Sequence, residues 1–225
     1  VHPSDEYALK AEHEYGKTEM WYIVDCDPGA SLYFGVNRTV TPEEFRRRIE
    51  DNTVEEVLNR VPVRPGDVFF IEAGTLHAIG GGILICEIQQ NSNCTYRVYD
   101  YGRRGADGRL RELHIDKALE VSRLTPSEDR CKALETQTIS GGSMTRLAEC
   151  RYFTADRFNV ESEVSIFIGS GSFISLTAVE GAGQISGPEN TVDFMPGDTM
   201  FIPAGSGAVT VRGKSTLIAV GVKGE

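Results

Sequence analysis

A lysine and a glutamate one residue apart, Lys17 and Glu19, begin a run of aromatic and β-branched residues. This run, residues 16–25, predicts a β-strand, and residues i and i+2 of a strand point to the same face. We therefore expect the two side chains to point into the same cavity. A carboxylate can ligate a divalent metal, as can the imidazole of a histidine. On spacing alone, the pair suggests a site without specifying one.

Histidines are the next candidates for metal ligands, and the chain has four: His2, His13, His77 and His114. His13 lies in a polar segment, which is typical of an exposed histidine. His114 precedes a predicted helix, where a packing or capping role is expected. His77 follows a turn and opens a predicted strand, so its setting is the most informative.

The residues before His77 form a recognisable pattern. Pro65-Gly66 predicts a type II turn with a positive φ at the glycine, and Val68–Ile71 predicts a short strand. The spacing from Gly66 through Glu72-Ala73-Gly74 to His77 resembles the second signature of the cupin barrels, although that family usually has proline at position 72. The histidine of that signature points into a small β-barrel and ligates a metal. The alternative is that His77 is a hydrogen-bonded structural residue.

An internal repeat helps to choose between these interpretations. Residues 195–208 align without gaps on residues 64–77, sharing the Pro-Gly-Asp turn, the apolar strand and the Ala-Gly that ends it. The repeat predicts two copies of one supersecondary plan. Ala208 stands at the position of His77, so the turn does not require a histidine. This favours a functional role for His77.

Composition limits the class of protein. Of 225 residues, 40% are hydrophobic, and 24 glycines with 9 prolines favour β structure with many turns over a helix bundle. The formal charge of −10 disfavours a nucleic-acid or anionic membrane surface, and no apolar run is long enough to span a bilayer. The 5 cysteines lack C-x-x-C spacing, which favours reduced thiols in a cytoplasmic protein over a disulfide framework.

The remaining elements complete the predicted fold. Thr41-Pro42 starts a helix, with a second short helix following, and residues 114–124 predict another. A linker is expected over residues 127–144. The sequence from Cys150 onward predicts β-strands only. The glycine cluster at residues 80–82 is expected to turn the chain back, with Ile83–Ile88 as the return strand of a hairpin within residues 65–100. The prediction is a mainly β protein of two cupin-like antiparallel β-barrels (jelly-roll type) with a few short helices. Its expected domains are a metal-binding barrel with helical insertions, 1–140, and a metal-free β domain, 141–225.

Several motifs taken together resemble type I mannose-6-phosphate isomerase in its short bacterial form. These motifs are His2-Pro3, residues 16–22 (GKTEMWY), residues 74–78 (GTLHA) and residues 87–100 (EIQQNSNCTYRVYD). The resemblance covers residues 1–124 with specific motifs and the final β domain more loosely.

The resemblance implies a zinc site made by His2, Glu19 and His77. In that family a glutamine two residues before the first histidine also binds zinc, and this position lies outside the present sequence. The first domain is therefore expected to be N-terminally incomplete, and a chain of this length is expected to bind zinc poorly and isomerise slowly. Many longer relatives have His-Lys-Pro-Glu where this chain has residues 16–19, so a role for that extra histidine does not transfer.

The resemblance also implies a reaction, in which mannose 6-phosphate and fructose 6-phosphate are interconverted through a cis-enediol. Lys17 or Glu87 is the expected general base, and residue types do not choose between them. Arg97 is suited to an enediolate oxygen or a phosphate, with a structural salt bridge to Asp100 or Glu87 as the alternative. The expected ligand is thus a small sugar phosphate in the cytoplasm, and the sequence leaves the oligomeric state open.

Two other functions stay open at this point. A non-catalytic cupin that binds a sugar or regulates without turnover is compatible with the absent glutamine. A cupin oxygenase is the weaker alternative, because such enzymes normally carry a His-x-His pair in one motif and this chain has none.

Overall fold

The computed structural model of the chain describes residues 1–126 and 135–222. They form two compact units, Val1–Cys131 and Lys132–Glu225, and β structure predominates in both. The first unit contains six strands: β1 (Glu19–Cys26), β2 (Ser31–Val36), β3 (Leu58–Pro62), β4 (Val68–Ile71), β5 (His77–Ala78) and β6 (Ile83–Gln89). Its helices are α1 (Asp5–Ala11), α2 (Pro42–Glu50), α3 (Ile115–Val121) and one 3-10 turn, Val54–Val57.

Two three-stranded antiparallel sheets make the first unit, with strand orders β4-β1-β6 and β3-β2-β5. Alternate residues of β1 point between the sheets, where Trp21 and Ile23 pack with Leu32 and Phe34 of β2. This apolar layer holds the two sheets together, since burial of such side chains is the main favourable term in folding.

The strand pairing corrects the expected hairpin. Strands β4 and β6 do not pair with each other, because both pair with β1, one along each edge. The short strand β5 between them pairs with β2 in the other sheet. Turn residues mark where a strand ends, but they carry no information about which distant strand it joins.

Helix α2 begins where local signals predicted. Thr41 caps α2, with its hydroxyl oxygen accepting a hydrogen bond from the Glu44 N–H. Phe45 and Ile49 are buried in a second apolar cluster of the unit, which includes Ala8 of α1 and Ala118 of α3. The helices therefore share one core with strand and loop residues such as Val36 and Tyr96.

The second unit is built from two larger antiparallel sheets, with orders β10-β15-β12-β13 and β14-β11-β16-β9-β8-β7. Its strands are β7 (Thr136–Ile139), β8 (Gly142–Glu149), β9 (Thr154–Val160), β10 (Glu163–Ile168), β11 (Ile174–Gly181), β12 (Gly183–Ser186), β13 (Thr191–Phe194), β14 (Thr199–Ile202), β15 (Gly207–Arg212) and β16 (Ser215–Gly221). Side chains from both sheets, including Val164, Leu176, Val211 and Leu217, form one buried cluster.

The linker predicted for residues 127–144 is wrong where the structure describes it. Residues 127–134 lie outside the described part of the chain, but β7 and β8 pair as a hairpin. Gly141 makes the turn with a φ of 79°, a conformation that favours glycine. Small and hydroxylated residues in both strands gave the hairpin too weak an apolar pattern to be recognised.

The internal repeat is reproduced in the backbone contacts of the two units. Ile23 N–H donates to Asp67 O in the first, and Ala178 N–H donates to Asp198 O in the second, both at 2.9 Å. Glu19 pairs with Ile71, and Ile174 pairs with Ile202 at the corresponding place. Ile174 therefore occupies the position of Glu19.

The two copies diverge just before the histidine position. Gly207 has a φ of 75° where the first copy has Leu76, which is not in the positive-φ region. After this glycine Ala208 is exposed and pairs with the exposed Phe167, whereas His77 pairs with the buried Phe34. Ala208 is thus aligned with His77 in sequence but faces the other side of its sheet.

Candidate metal centre

Three side chains from distant parts of the chain meet within the first unit. His2 lies before α1, Glu19 begins β1 and His77 begins β5. His77 Nε2 is 3.3 Å from Glu19 Oε1, and His2 Nε2 is 3.6 Å from Glu19 Oε2. One potential ligand atom from each residue lies within 4.8 Å of the other two. The structure thus brings together the three residues that the sequence proposed as ligands.

Hydrogen bonds on the far side of each ring orient the two imidazoles. His2 Nδ1 is 2.8 Å from the carbonyl oxygen of Cys94, and His77 Nδ1 is 2.9 Å from that of Thr75. A carbonyl oxygen only accepts hydrogen bonds, so each Nδ1 carries the proton and donates it. The lone pair of each Nε2 then points toward Glu19, the arrangement found for histidines that ligate metals.

Burial keeps both histidines neutral and disfavours the charged form of the carboxylate between them. It lowers the pKa of His2 to about 3 and holds the pKa of His77 well below its usual value. Burial also raises the pKa of Glu19 to about 7. Among the described residues, neither Glu19 oxygen accepts a well-directed hydrogen bond. Two imidazole lone pairs and a buried carboxylate fit a divalent cation with nitrogen and oxygen ligands, such as Zn²⁺.

Lys17 and Glu87 extend this group toward solvent. Lys17 Nζ lies 2.9 Å from Glu19 Oε2 and 3.3 Å from Glu87 Oε1. Glu87 is opposite Trp21 in the pairing of β6 with β1, so it faces the same side of the sheet as Glu19. The Glu87 side chain is 32% exposed, against 1% for Glu19. Glu87 therefore lies on the accessible side of the site.

Arg97 lies in the loop after β6. Its Nη1 donates to the carbonyl oxygen of Glu112 at 3.0 Å, and its Nε is 3.9 Å from Asp100 Oδ1. Its backbone N–H donates to His114 Nδ1 at 3.1 Å, and His114 N–H donates back to the Arg97 carbonyl. His114 thus holds the backbone of Arg97, whereas His13 is exposed.

A hydrogen-bond network that sequence reasoning missed fixes the start of β1. Gln90 Oε1 accepts from the Thr18 N–H at 2.8 Å, and Gln90 Nε2 donates to Asp5 Oδ1 at 3.0 Å. Asp5 Oδ1 also accepts from the Gly16 N–H at 2.9 Å. These bonds hold the backbone on both sides of Lys17. No local pattern identifies Asp5 or Gln90, because their partners lie far away in the sequence.

Thr95 was also missed, along with the carbonyl groups that orient the histidines. Its hydroxyl oxygen is 3.2 Å from His2 Nδ1, beside the Cys94 carbonyl. The run that contains both residues was recognised as a motif, but for Arg97 rather than for these contacts. Within the described residues, no helix has the length and apolar character needed to cross a membrane.

Comparisons with known proteins agree with the geometry. Residues 143–222 match the family described as "Mannose-6-phosphate isomerase, cupin domain". The chain is 42% identical over 219 residues to mannose-6-phosphate isomerase ManA of Bacillus subtilis, covering 97% of this chain and 69% of that protein. It is 34% identical to mannose-6-phosphate isomerase of Streptococcus mutans, covering 90% of this chain and 63% of the relative.

Solved structures show the same fold. The crystal structure of mannose 6-phosphate isomerase from Bacillus subtilis superposes with a TM-score of 0.90 at 34% identity, covering 98% of this chain and 69% of that one. A zinc-bound mannose 6-phosphate isomerase superposes with a TM-score of 0.76 at 16% identity, covering 99% and 75%. These matches confirm the prediction of a mainly β, cupin-type fold.

Proposed function

The chain belongs to the mannose-6-phosphate isomerase family, and we propose that it interconverts mannose 6-phosphate and fructose 6-phosphate in a zinc-dependent reaction through a cis-enediol. The observation that carries the proposal is the convergence of His2, Glu19 and His77, with Lys17 and Glu87 beside them. The first domain, 1–140, is the metal-binding domain in this proposal, and 141–225 is metal-free.

His2, Glu19 and His77 would hold the zinc ion. When bound, zinc supplies a Lewis acid that stabilises negative charge on the substrate oxygens. The protein's contribution is to fix the ligands in advance: the Cys94 and Thr75 carbonyls set the imidazole tautomers. The buried Glu19 supplies a negative charge that favours a cation over neutral ligands.

We assign proton transfer between C2 and C1 to the pair Lys17 and Glu87. Their polar atoms are 3.3 Å apart, so a proton taken by one can be shared with the other. Each also lies on the same side of the sheet as the candidate ligands. A positioned base of this kind contributes roughly 10²–10⁴-fold in rate.

Arg97 is proposed to stabilise the developing enediolate or the substrate phosphate. Its Nε is 3.9 Å from Asp100, longer than the 2.5 Å contact that Arg103 makes with the same oxygen. The Asp100 carboxylate therefore does not require Arg97 as its main partner. A guanidinium retains its charge at every working pH, which suits it to bind an anion.

The proposed location is the cytoplasm. Four cysteines that the structure describes, Cys26, Cys86, Cys94 and Cys150, are free thiols. Free thiols are typical of proteins in reducing compartments.

The test is a coupled assay that follows fructose 6-phosphate formed from mannose 6-phosphate. Turnover should fall on treatment with a chelator and return when zinc is added. Binding of the sugar phosphate without turnover, at any zinc concentration, would instead support the non-catalytic sugar-binding cupin. Oxygen consumption with a metal-loaded sample would support the oxygenase.

A further inference from the structure

The segment that carries Lys17 lies just before β1, outside the regular strand pairing. The pairing of β1 with β6 begins at Glu19. The backbone before it has other partners: the Lys17 N–H donates to the Pro3 carbonyl at 3.0 Å, and the Thr18 carbonyl accepts from the Gln90 N–H at 3.1 Å. The position of Lys17 therefore depends on contacts that the sheet does not provide.

Two polar side chains, Asp5 and Gln90, hold the backbone on either side of Lys17. Gln90 Oε1 accepts from the Thr18 N–H at 2.8 Å, and Asp5 Oδ1 accepts from the Gly16 N–H at 2.9 Å. Gln90 Nε2 also donates to Asp5 Oδ1 at 3.0 Å, so the two side chains are joined to each other. Gly16 and Thr18 are buried residues, and a buried N–H needs a protein partner.

The chemistry of this Asp5–Gln90 pair fixes the orientation of the amide. A carboxylate only accepts hydrogen bonds and a backbone N–H only donates them, so Gln90 must present its nitrogen to Asp5 and its oxygen to Thr18. A glutamate at position 90 would have the same shape, but it would keep the bond to Thr18 and lose the bond to Asp5. The pair therefore offers a substitution that changes one hydrogen bond without changing the size of the side chain.

The start of α1 does not account for the contacts of Asp5. Ser4 is the N-cap of this helix, and its side chain accepts from the Tyr7 N–H. An acidic residue in the first turn is favourable by itself, but that effect does not require bonds to residues 16 and 90. The contacts of Asp5 instead join the helix to the segment that carries Lys17.

The position of the Lys17 backbone bears directly on proton transfer. Lys17 Nζ lies 2.9 Å from Glu19 Oε2 and 3.3 Å from Glu87 Oε1. Because the lysine stem is flexible, the place of its ammonium group depends on where the backbone is held. Misplacing a reacting group by about 1 Å can cost on the order of 10²-fold in rate.

The candidate zinc ligands have separate supports. Both histidine rings donate to backbone carbonyls of other segments, and Glu19 lies in the paired part of β1. None of these contacts involves the side chain of Asp5 or Gln90. A change in the Asp5–Gln90 pair should therefore act on Lys17 more than on metal binding.

We infer that Asp5 and Gln90 are positioning residues for the isomerase reaction: together they hold Lys17 where its ammonium group can exchange a proton with Glu87. The inference rests on the proposed isomerase activity and deepens it, because it assigns a role in the reaction to two residues that do not touch the metal ligands through their side chains.

The first experiment measures steady-state kinetics of the zinc-loaded protein with mannose 6-phosphate. Gln90→Glu sets two carboxylates against each other and should lower kcat roughly ten- to a hundredfold, with KM and zinc content little changed. Gln90→Leu removes both side-chain bonds without adding charge. It should lower kcat as well, and it tests the inference even if Gln90→Glu does not fold.

A rescue and a matched control separate positioning from stability. The double variant Asp5→Asn, Gln90→Glu exchanges amide and carboxylate, so a donor again faces an acceptor, and most of the lost kcat should return. The control is Gln184→Glu in the second unit, where Gln184 Nε2 donates to Asp193 Oδ1 at 2.8 Å. It creates the same conflict between carboxylates and should leave kcat unchanged. A lower melting temperature with unchanged kcat in Gln90→Glu, or a double variant no more active than Gln90→Glu, would overturn the inference.

The second experiment has a readout that does not depend on turnover. Amide hydrogen exchange, followed by NMR, reports on the N–H groups of Gly16 and Thr18 directly. In Gln90→Glu both should exchange about tenfold faster or more, because the bonds that protect them are weakened, and the double variant should restore their protection.

The two proposals can therefore fail separately. If the unaltered protein isomerises the sugar phosphate but kcat and amide exchange are indifferent to Gln90→Glu, only the positioning role is wrong. If exchange responds to Gln90→Glu and is restored in the double variant, but no isomerase activity is found, the Asp5–Gln90 pair does hold the segment and the proposed reaction is wrong.

Discussion

The Nε2 atoms of His2 and His77 lie 3.2 Å apart, and both carry a lone pair rather than a proton. Both rings donate their Nδ1 proton to a backbone carbonyl, so neither can present an N–H to the other. Burial lowers the pKa of both imidazoles, which opposes protonation as a way to relieve the repulsion. A metal ion held by these residues would remove the conflict, and Glu19 would supply the charge that balances it.

This arrangement predicts that zinc binding depends on His77. His77→Ala should lose bound zinc and lower turnover on the order of 10²-fold or more, because a Lewis acid supplies several kcal/mol of charge stabilisation. Zinc content by mass spectrometry and the coupled isomerase assay measure the two effects. The control is His13→Asn: His13 is exposed with a φ of 58°, a conformation that asparagine tolerates. Full zinc content in His77→Ala would refute the ligand assignment.

Arg97 should act on the reaction rather than on the fold. Arg97→Ala is expected to lower kcat/KM on the order of 10²-fold, or about 3 kcal/mol, while zinc content and thermal stability persist. Arg97→Lys keeps the charge without the fork and should recover part of the loss. Unchanged kinetics, or a variant that fails to fold, would point to a structural role with Asp100 instead.

The close approach of Gly16 to the start of α1 predicts a sensitive position. A Cβ at residue 16 would lie 2.3 Å from the backbone carbon of Ser4 and 2.4 Å from the nitrogen of Asp5. Gly16→Ala should therefore destabilise the protein by about 1–3 kcal/mol or more. It should also weaken zinc binding, because it displaces the residues next to Lys17 and Glu19.

Gly81 provides the matched control for this substitution. A Cβ there meets no atom within 4 Å, and its φ is not positive. Gly81→Ala should change the free energy of unfolding by no more than about 0.5 kcal/mol. Chemical denaturation of both variants gives the comparison, and equal stability would show that the Gly16 contact relaxes without cost.

Local features of the fold could be predicted from the sequence because their causes are local. The Thr41 cap and the positive φ of Gly66 each depend on neighbouring residues. The partners of β4 and β6 depend instead on β1, more than forty residues earlier in the chain, so their pairing could not be deduced from the turns. The hairpin of β7 and β8 was missed because its few large apolar residues leave the alternation faint.

The residues of the candidate site likewise fall into those with a local sequence signal and those without one. Lys17 and Glu19 could be placed on one side of a strand from their spacing, and His77 from its turn. His2 was selected only through a family resemblance, because a histidine before a helix carries no signal of its own. The contacts of Thr95 and Gln90 join residues more than seventy positions apart, and no pattern along the chain encodes such a distance.

The second unit supplies the last prediction, which concerns the histidine position of the repeat. Ala208 aligns with His77, so Ala208→His restores the missing residue in sequence. It should not create a second zinc site, because Ala208 is exposed opposite Phe167 and faces away from the buried cluster. Ile174 also replaces Glu19 at the paired position, so the carboxylate of the first copy has no counterpart there.

Zinc per chain, measured by mass spectrometry after dialysis, decides this prediction. Ala208→His should bind no more zinc than the unaltered protein, and the double variant His77→Ala, Ala208→His should bind none. Two ions per chain in Ala208→His would mean that the side-chain directions after Gly207 match those of the first copy. In that case the alignment, rather than the positive φ of Gly207, would describe the geometry of the repeat.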